Sequence, residues 1–437
     1  MGKLHLSGRP PRRRKARAAM EVLLETCCGL DVHAEFVTAC VLSGPGTKPQ
    51  REVREFKTTT SGLLALRDWL VGLNCRPVAM ESTGVYWKPV WHVLEGPEFD
   101  LLLANAQAVK AIKGRKTDVG DATWIAKLHR SGLLQPSFVP PEPIRDLRDV
   151  TRYRVSLVHE QTAERNRVQK ILEDANIKLA RVVSDVFGVS GWEMLKALAE
   201  TEGKPDIERL ADLARGRLRD KNEALQEALN GKIREHHRYM LRISMKRLEQ
   251  IAATIADVEA RIEQYLQPYR EEVARLETVP GMKRTTAAVV IAEAGADMGV
   301  FVDAGHFASW AGVCPGSNES ANTKKPAHIR DGNRHLRGAL CETAWAASHT
   351  RDTFLSATFW RLTSRMGKKK ALVALAHKQA IAVYRILDEK VHYHELGADY
   401  RRRADAQRYA RNLIRKVEAL GYRVSRPKED EQPATIA

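Results

Sequence analysis

Between residues 22 and 130 the apolar pattern changes period in an order that few architectures can satisfy. Three short runs rich in β-forming residues come first, at 22–28, 36–42 and 51–58, with Ser43, Gly44, Pro45 and Gly46 breaking the chain between the second and third. A helical run follows over 61–73, where Leu63, Leu64, Leu66, Trp69 and Leu70 recur at helical spacing. A strand at 77–80, a helix at 84–94, a strand at 99–104 and a helix at 119–130 complete the series, the last with Ala122, Ile125, Ala126 and Leu128 inward. Three strands, helix, strand, helix, strand, helix predicts an α/β layered domain, here placed at 22–150.

Beyond it the texture is helical. Leu241, Met245, Leu248, Ile251 or Ala252, Ile255, Val258, Ile262 and Tyr265 recur at steps of three and four, flanked by Arg and Glu. This stripe predicts a long coiled-coil arm over 151–269, or else one amphipathic helix packed on its own domain. A mainly α C-terminal domain is expected over 270–400. It opens on Val279, Pro280, Gly281 and Met282, a segment resembling a helix-hairpin-helix loop, in which Lys283 and Arg284 stand at a helix start suited to a phosphate; an ordinary helix–helix turn is the alternative. Basic tails are expected at 1–21 and 401–437.

In a chain of 437 residues, 71 Lys and Arg against 54 Asp and Glu leave a net charge of +17, which favours a polyanionic partner without saying DNA or RNA. None of the six cysteines forms a CxxC pair or a zinc-type cluster, so reduced thiols are expected. There is no signal-peptide pattern and no apolar stretch long enough to cross a bilayer, which predicts a cytoplasmic protein with no membrane partner.

Four acids stand where chemistry is expected. Asp31 sits at the end of an apolar strand, directly before a turn, Glu81 ends another, and Asp118 and Asp121 lie at i and i+3 at a helix start. Carboxylates at neighbouring strand ends and on one helix face can converge on a hard cation, Mg²⁺ or Mn²⁺, which prefers oxygen ligands. Two such ions stabilise the entering and leaving oxygens of a phosphoryl displacement. Singly, each acid has another use: Asp31 as a turn residue, Asp118 as a helix cap.

A polar stretch after Cys314 carries Ser317 and Ser320 among Lys324, Lys325, Arg330, Arg334 and Arg337. A serine there could attack phosphorus, with the cations stabilising the charge that develops, or merely hydrogen-bond a phosphate.

The blocks Gly29-Leu30-Asp31-Val32-His33, Met80-Glu81-Ser82-Thr83-Gly84-Val85-Tyr86-Trp87 and Lys116-Thr117-Asp118-Val119-Gly120-Asp121-Ala122 resemble the acidic blocks of DEDD-type insertion-sequence transposases, the insertion sequence one-ten family. Their acidic domain is RNase H-like, related to the RuvC junction resolvases. The stretch from Pro315 resembles that family's C-terminal serine block, with Ser320 at the nucleophile position and Ala321-Asn322 where small Gly-type residues are common. The resemblance implies a transposase or recombinase with Asp31, Glu81, Asp118 and Asp121 on metal and a covalent Ser320–DNA intermediate. It further implies donor and target duplex DNA selected by a noncoding bridge RNA. The coiled-coil arm would assemble homodimers, and two dimers could form a tetramer; a bacterial or archaeal, nucleoid-associated setting is expected. The rival reading is a RuvC-like junction resolvase that cleaves with metal-activated water.

Overall fold

The computed structural model describes residues 22–424 apart from 46–47, 82–83, 107–108, 110–117, 317–318, 321–322 and 325–327. The side chains of Asp118, Val119, Glu319, Ser320, Thr323, Lys324 and Arg402 also lie outside the described part, as do Ser317, Lys325, the expected tail 1–21 and the end of the other tail. The chain divides between Val139 and Pro140 into two compact units.

The first unit is built on a five-stranded mixed sheet. Its strands are β1 (Cys27–Val32), β2 (Phe36–Ser43), β3 (Gln50–Lys57), β4 (Pro77–Glu81) and β5 (Asp100–Ala104), in the spatial order β3-β2-β1-β4-β5. The first three pair antiparallel, whereas β4 pairs parallel with β1 and β5 parallel with β4. Parallel neighbours need crossovers, and helices α1 (Thr60–Gly72) and α2 (Trp87–Leu94) supply them. The edge strand β3 is largely exposed and carries Arg51, Glu52, Arg54, Glu55 and Lys57, charges that discourage pairing with another sheet edge. This layering fits an α/β RNase H-like domain.

Strand alternation sorts the sheet into two faces. Cys28, Leu30, Val78 and Met80 point to one, packing with Leu63, Leu66 and Leu70 of α1 and with Val90 and Leu94 of α2. Each such leucine contributes roughly 1.5–3 kcal/mol on burial. Cys27, Gly29 and Asp31 of β1, with Ala79 and Glu81 of β4, belong to the other face. There α3 (Asp118–Arg130) docks through Ala122, Ile125, Ala126 and Leu128. Its last residue, buried Arg130, donates to the carbonyls of Glu25 (3.1 Å) and Gly44 (2.5 Å), tying the helix to the entry of β1 and the exit of β2.

The second unit is mostly helical. It opens on α4 (Glu142–Asp174), with Pro143 in its first turn, where a missing N–H costs nothing. Short helices α5 (Val189–Glu200), α6 (Ile207–Ala211) and α7 (Asn222–Leu229) precede α8 (Glu235–Leu266). The two long helices run antiparallel: Ile144 and Leu147 at the start of α4 share a core with Ile262 and Leu266 at the end of α8. Val168 and Leu172 at the other end share a second core with Leu241, Met245 and Leu248. The stripe expected to form a coiled-coil arm is thus used within the chain along much of its length. Arg154 on α4 also reaches Glu259 on α8, with Nε 2.8 Å from Oε1.

The C-terminal core gathers α9 (Arg270–Glu277), α10 (Arg284–Ala294) and α11 (Ala304–Trp310) around α12 (Arg334–Ser348), α13 (Phe354–Met366) and α14 (Lys368–Asp388). The expected tail from 401 instead begins as α15 (Tyr400–Ala419), a helix exposed along most of its length.

Candidate active site

In β1 and β4, Leu30 pairs with Met80, so the following residues, Asp31 and Glu81, stand level on adjacent parallel strands. Both belong to the face covered by α3. Gly29, two residues before Asp31 on that face, permits the helix to approach. A Cβ there would lie 2.3 Å from the Ala126 nitrogen and 2.4 Å from the Ala122 carbonyl oxygen. The close approach holds the first turns of α3, with Asp118 and Asp121, against the strand that carries Asp31.

The electrostatics of Asp31 record these neighbours. Burial pushes its carboxyl above the ordinary value; His33 pulls it back by charge and hydrogen bond, and the charges of Asp121 and Glu81 push it up again. His33 Nε2 lies 3.1 Å from Asp31 Oδ2, and its ring packs on Phe36 with centroids 4.8 Å apart. His33 was not singled out from sequence; its place two residues after the acid, on the same strand face, was the available signal.

Among the described residues no three His, Cys, Asp or Glu side chains form a ready metal-binding group. The side chain of Asp118 lies outside the described part. The donor chemistry nonetheless fits a divalent cation: the ligands on offer are all oxygen, and the charges of Asp121 and Glu81 both act on the Asp31 carboxyl. Such repulsion is what a hard cation relieves.

The second unit carries the serine segment. Its neck is closed by backbone: Pro315 bridges Ile329, the Gly316 N–H donates to the His328 carbonyl at 2.9 Å, and Asn333 N–H donates to Trp310 at 2.8 Å. A Cβ on Gly332 would lie 2.5 Å from the Gly312 nitrogen, so the two arms meet backbone to backbone. Beyond the neck, β6 (Glu319–Ser320) pairs with β7 (Thr323–Lys324), with Ser320 opposite Thr323. Where the sequence predicts only a polar loop, the segment pairs as two short antiparallel strands, and Ser320 is the last residue of the first.

The hairpin leads into α12 through Asn333, whose Oδ1 accepts from the N–H groups of His335 and Leu336, both at 3.1 Å. The Asn333 Nδ2 donates to Glu293 at 2.6 Å. Glu293 is fully buried on α10 and also receives Arg152 through Nε at 2.7 Å and Nη2 at 2.8 Å, with Arg148 Nε at 3.4 Å. Burial works against its charge, but the bonds from Arg152 and Asn333 prevail and hold the carboxyl below its ordinary range. Sequence reasoning missed this anchor. A lone Glu inside the run Ala287–Ala294 was the sign, since a buried charge requires partners.

The cations expected to meet nucleic acid divide. Arg284 is held by Glu263, with Nε 2.9 Å from Oε1 and Nη2 2.5 Å from Oε2. Lys283, at the cap of α10, is exposed, as are Arg330 and Arg334, and Arg337 is half-buried. Lys324 and Lys325 fall where side chains are not described.

No helix among the described residues is long and apolar enough to cross a membrane. Comparison with known families gives two matches in chain order. Residues 28–177 match the model of the DEDD transposases of IS110 type, described as "Transposase". Residues 273–359 match that of the "Transposase IS116/IS110/IS902 family". No individual curated protein matches the chain. The first match contains Asp31, Glu81, Asp118 and Asp121 and the second contains Ser320, so both blocks of one enzyme type stand on one polypeptide: the chain belongs to the IS110 family of DEDD transposases.

Proposed function

We propose that this transposase cuts and rejoins DNA through a covalent link between Ser320 and a DNA 5′-phosphate. The observation that carries the metal half is the level placement of Asp31 and Glu81 on adjacent strands beneath the helix bearing Asp121. A divalent ion, Mg²⁺ or Mn²⁺, held there by Asp31, Glu81, Asp121 and Asp118 would polarise the scissile phosphate and stabilise the displaced oxygen. His33 keeps one oxygen of Asp31 oriented. The position of Ser320 at the end of β6, in a sequence rich in Lys and Arg, suits a nucleophile presented to a phosphate.

The bonding balances without ATP. The serine Oγ–P bond forms as the P–O3′ bond of the DNA breaks; the serine proton passes to a carboxylate, and the departing 3′ oxygen takes up a proton. A second 3′-hydroxyl then attacks the same phosphorus, restoring a phosphodiester and freeing Ser320. Domain roles follow: 22–150 for the acidic site, 151–269 as a helical spacer, 270–400 for the nucleophile. Lys283, Lys324, Lys325, Arg330, Arg334 and Arg337 would contact phosphates, whereas the charge of Arg284 is paired with Glu263. We further assign the choice of donor and target to a bridge RNA, and synapsis to dimers that pair as a tetramer in the cytoplasm.

The test is Ser320→Ala, assayed for cleavage and for a protein–DNA adduct that survives denaturation. Loss of both supports the serine route. Retained cleavage without an adduct would instead indicate a junction resolvase using activated water.

A further inference from the structure

A cleft of about 860 Å³ lies in the second unit, beside the neck of the Ser320 hairpin. Pro315 and Ile329, which bridge across that neck, form part of its floor, over the buried Val313. Arg361, Arg365, Lys369, Lys370, Lys378 and Arg401 line it, and no Asp or Glu does. Asp405 acts on Arg361 from outside the lining and is itself bonded to Arg408 at 3.1 Å. Arg401 reaches the cleft because α15 is docked at its start, where Tyr400 meets Phe354 edge to face with centroids 5.6 Å apart.

These cations disfavour one another. Burial, then the charges of Arg401 and Arg361, push Lys378 below its ordinary value; burial, then Arg401 and Arg365, do the same to Arg361. Concentrating like charges around a cavity costs stability unless an anion occupies it. The floor narrows the choice of anion. A duplex offers mainly phosphates to a basic surface and would leave an apolar floor unused, whereas an unpaired strand can lay base faces on it while its phosphates meet the rim.

We propose that this cleft is a nucleic-acid site, seating an unpaired stretch of the DNA strand next to the phosphate that Ser320 attacks. Phosphates sit against Arg361, Arg365, Lys378 and Arg401, and bases lie on the floor by Pro315 and Ile329. The site rests on the serine reading above for its position along the strand, and on its own chemistry for binding.

The test is fluorescence anisotropy of the full chain with a labelled eight-nucleotide single-stranded DNA, with the same sequence as RNA and as duplex DNA in parallel. Arg361→Ala with Lys378→Ala is compared with Lys196→Ala with Lys204→Ala, an equal charge loss away from the cleft. The cleft pair is expected to weaken single-stranded DNA about tenfold at 0.15 M salt, and to flatten the slope of log affinity against log salt by about 1.4. Thermal melting checks that the variants fold, and Lys378→Arg should retain binding. Equal losses from both pairs, an equal loss for duplex, or a loss confined to RNA would overturn the assignment. A wild type that forms no serine–DNA adduct while the single-strand results hold would sink the catalytic reading and leave the cleft. An adduct with unchanged single-strand binding would sink the cleft alone.

Discussion

Replacing Gly29 with Ala adds one methyl group at the point where α3 crosses β1. That methyl carbon would stand 2.3 Å from the Ala126 nitrogen, 2.4 Å from the Ala122 oxygen and 2.9 Å from the Ala126 Cα, whereas ordinary Cβ contacts begin at 3.4 Å. All three opposing atoms are helix backbone, so no side chain can swing aside. The helix must retreat by about 1 Å, at an overpacking cost of about 1–3 kcal/mol. Asp121 directly precedes Ala122 and moves with it. A misplacement of about 1 Å at a reacting centre costs on the order of 100-fold in rate. Gly29→Ala should therefore still fold, melt roughly 5 °C lower, and lose on the order of 100-fold in Mg²⁺-dependent strand transfer. Gly72→Ala is the control, because nothing lies within 4 Å of its Cβ position. It should match or slightly exceed wild-type stability with full activity. Circular dichroism melting and a strand-transfer time course on both variants provide the readout. Strand transfer by Gly29→Ala within threefold of wild type would refute the idea that this contact sets the position of the acids.

Asp31→Asn should abolish strand transfer yet, without divalent ions at neutral pH, melt higher than the wild type. The native Asp31 carboxyl titrates above its unfolded value, so its ionised form opposes folding above the native pKa, and that penalty vanishes below the unfolded one. The gap in melting temperature should close in acid, and Mg²⁺ should raise the wild type alone. Glu293→Gln should cost about 3 kcal/mol by urea denaturation at pH 7, because Arg152 and Arg148 lose their buried counter-charge. The Glu293 carboxyl is held below its ordinary value of 4.5, so its contribution is complete above that pH and lost as pH falls through the lowered native value. The difference between wild type and variant should therefore narrow in acid.

How far these features could be read from sequence depended on whether their cause was local. Strand alternation located β2 through β5 within a residue or two, because side-chain period is a property of adjacent residues. The apolar run at 22–28 leads to Asp31 at its end as expected, but β1 starts late: it runs Cys27–Val32, where pairing with β2 from Leu42 to Val37 sets its bounds. The stripe on α8 was read correctly as an apolar seam, but a seam cannot say whether its partner is another copy or α4 of the same chain. Helix α13 was not foreseen, although Thr353 caps it by accepting from Ser356 N–H at 3.2 Å. Arg284 read as a phosphate contact because its partner Glu263, on a different helix, is brought close only by folding. The meaning of Gly29 was likewise hidden: what forbids a side chain there is a helix some ninety residues further on.

The convergence of the acids on a divalent ion is tested most directly by titrating Mn²⁺ into the full chain without DNA and counting bound ion by electron paramagnetic resonance. Asp31→Asn, Glu81→Gln and Asp121→Asn, each separately, should weaken binding at least tenfold. Unchanged Mn²⁺ affinity in all three variants would contradict a metal centre at this sheet face.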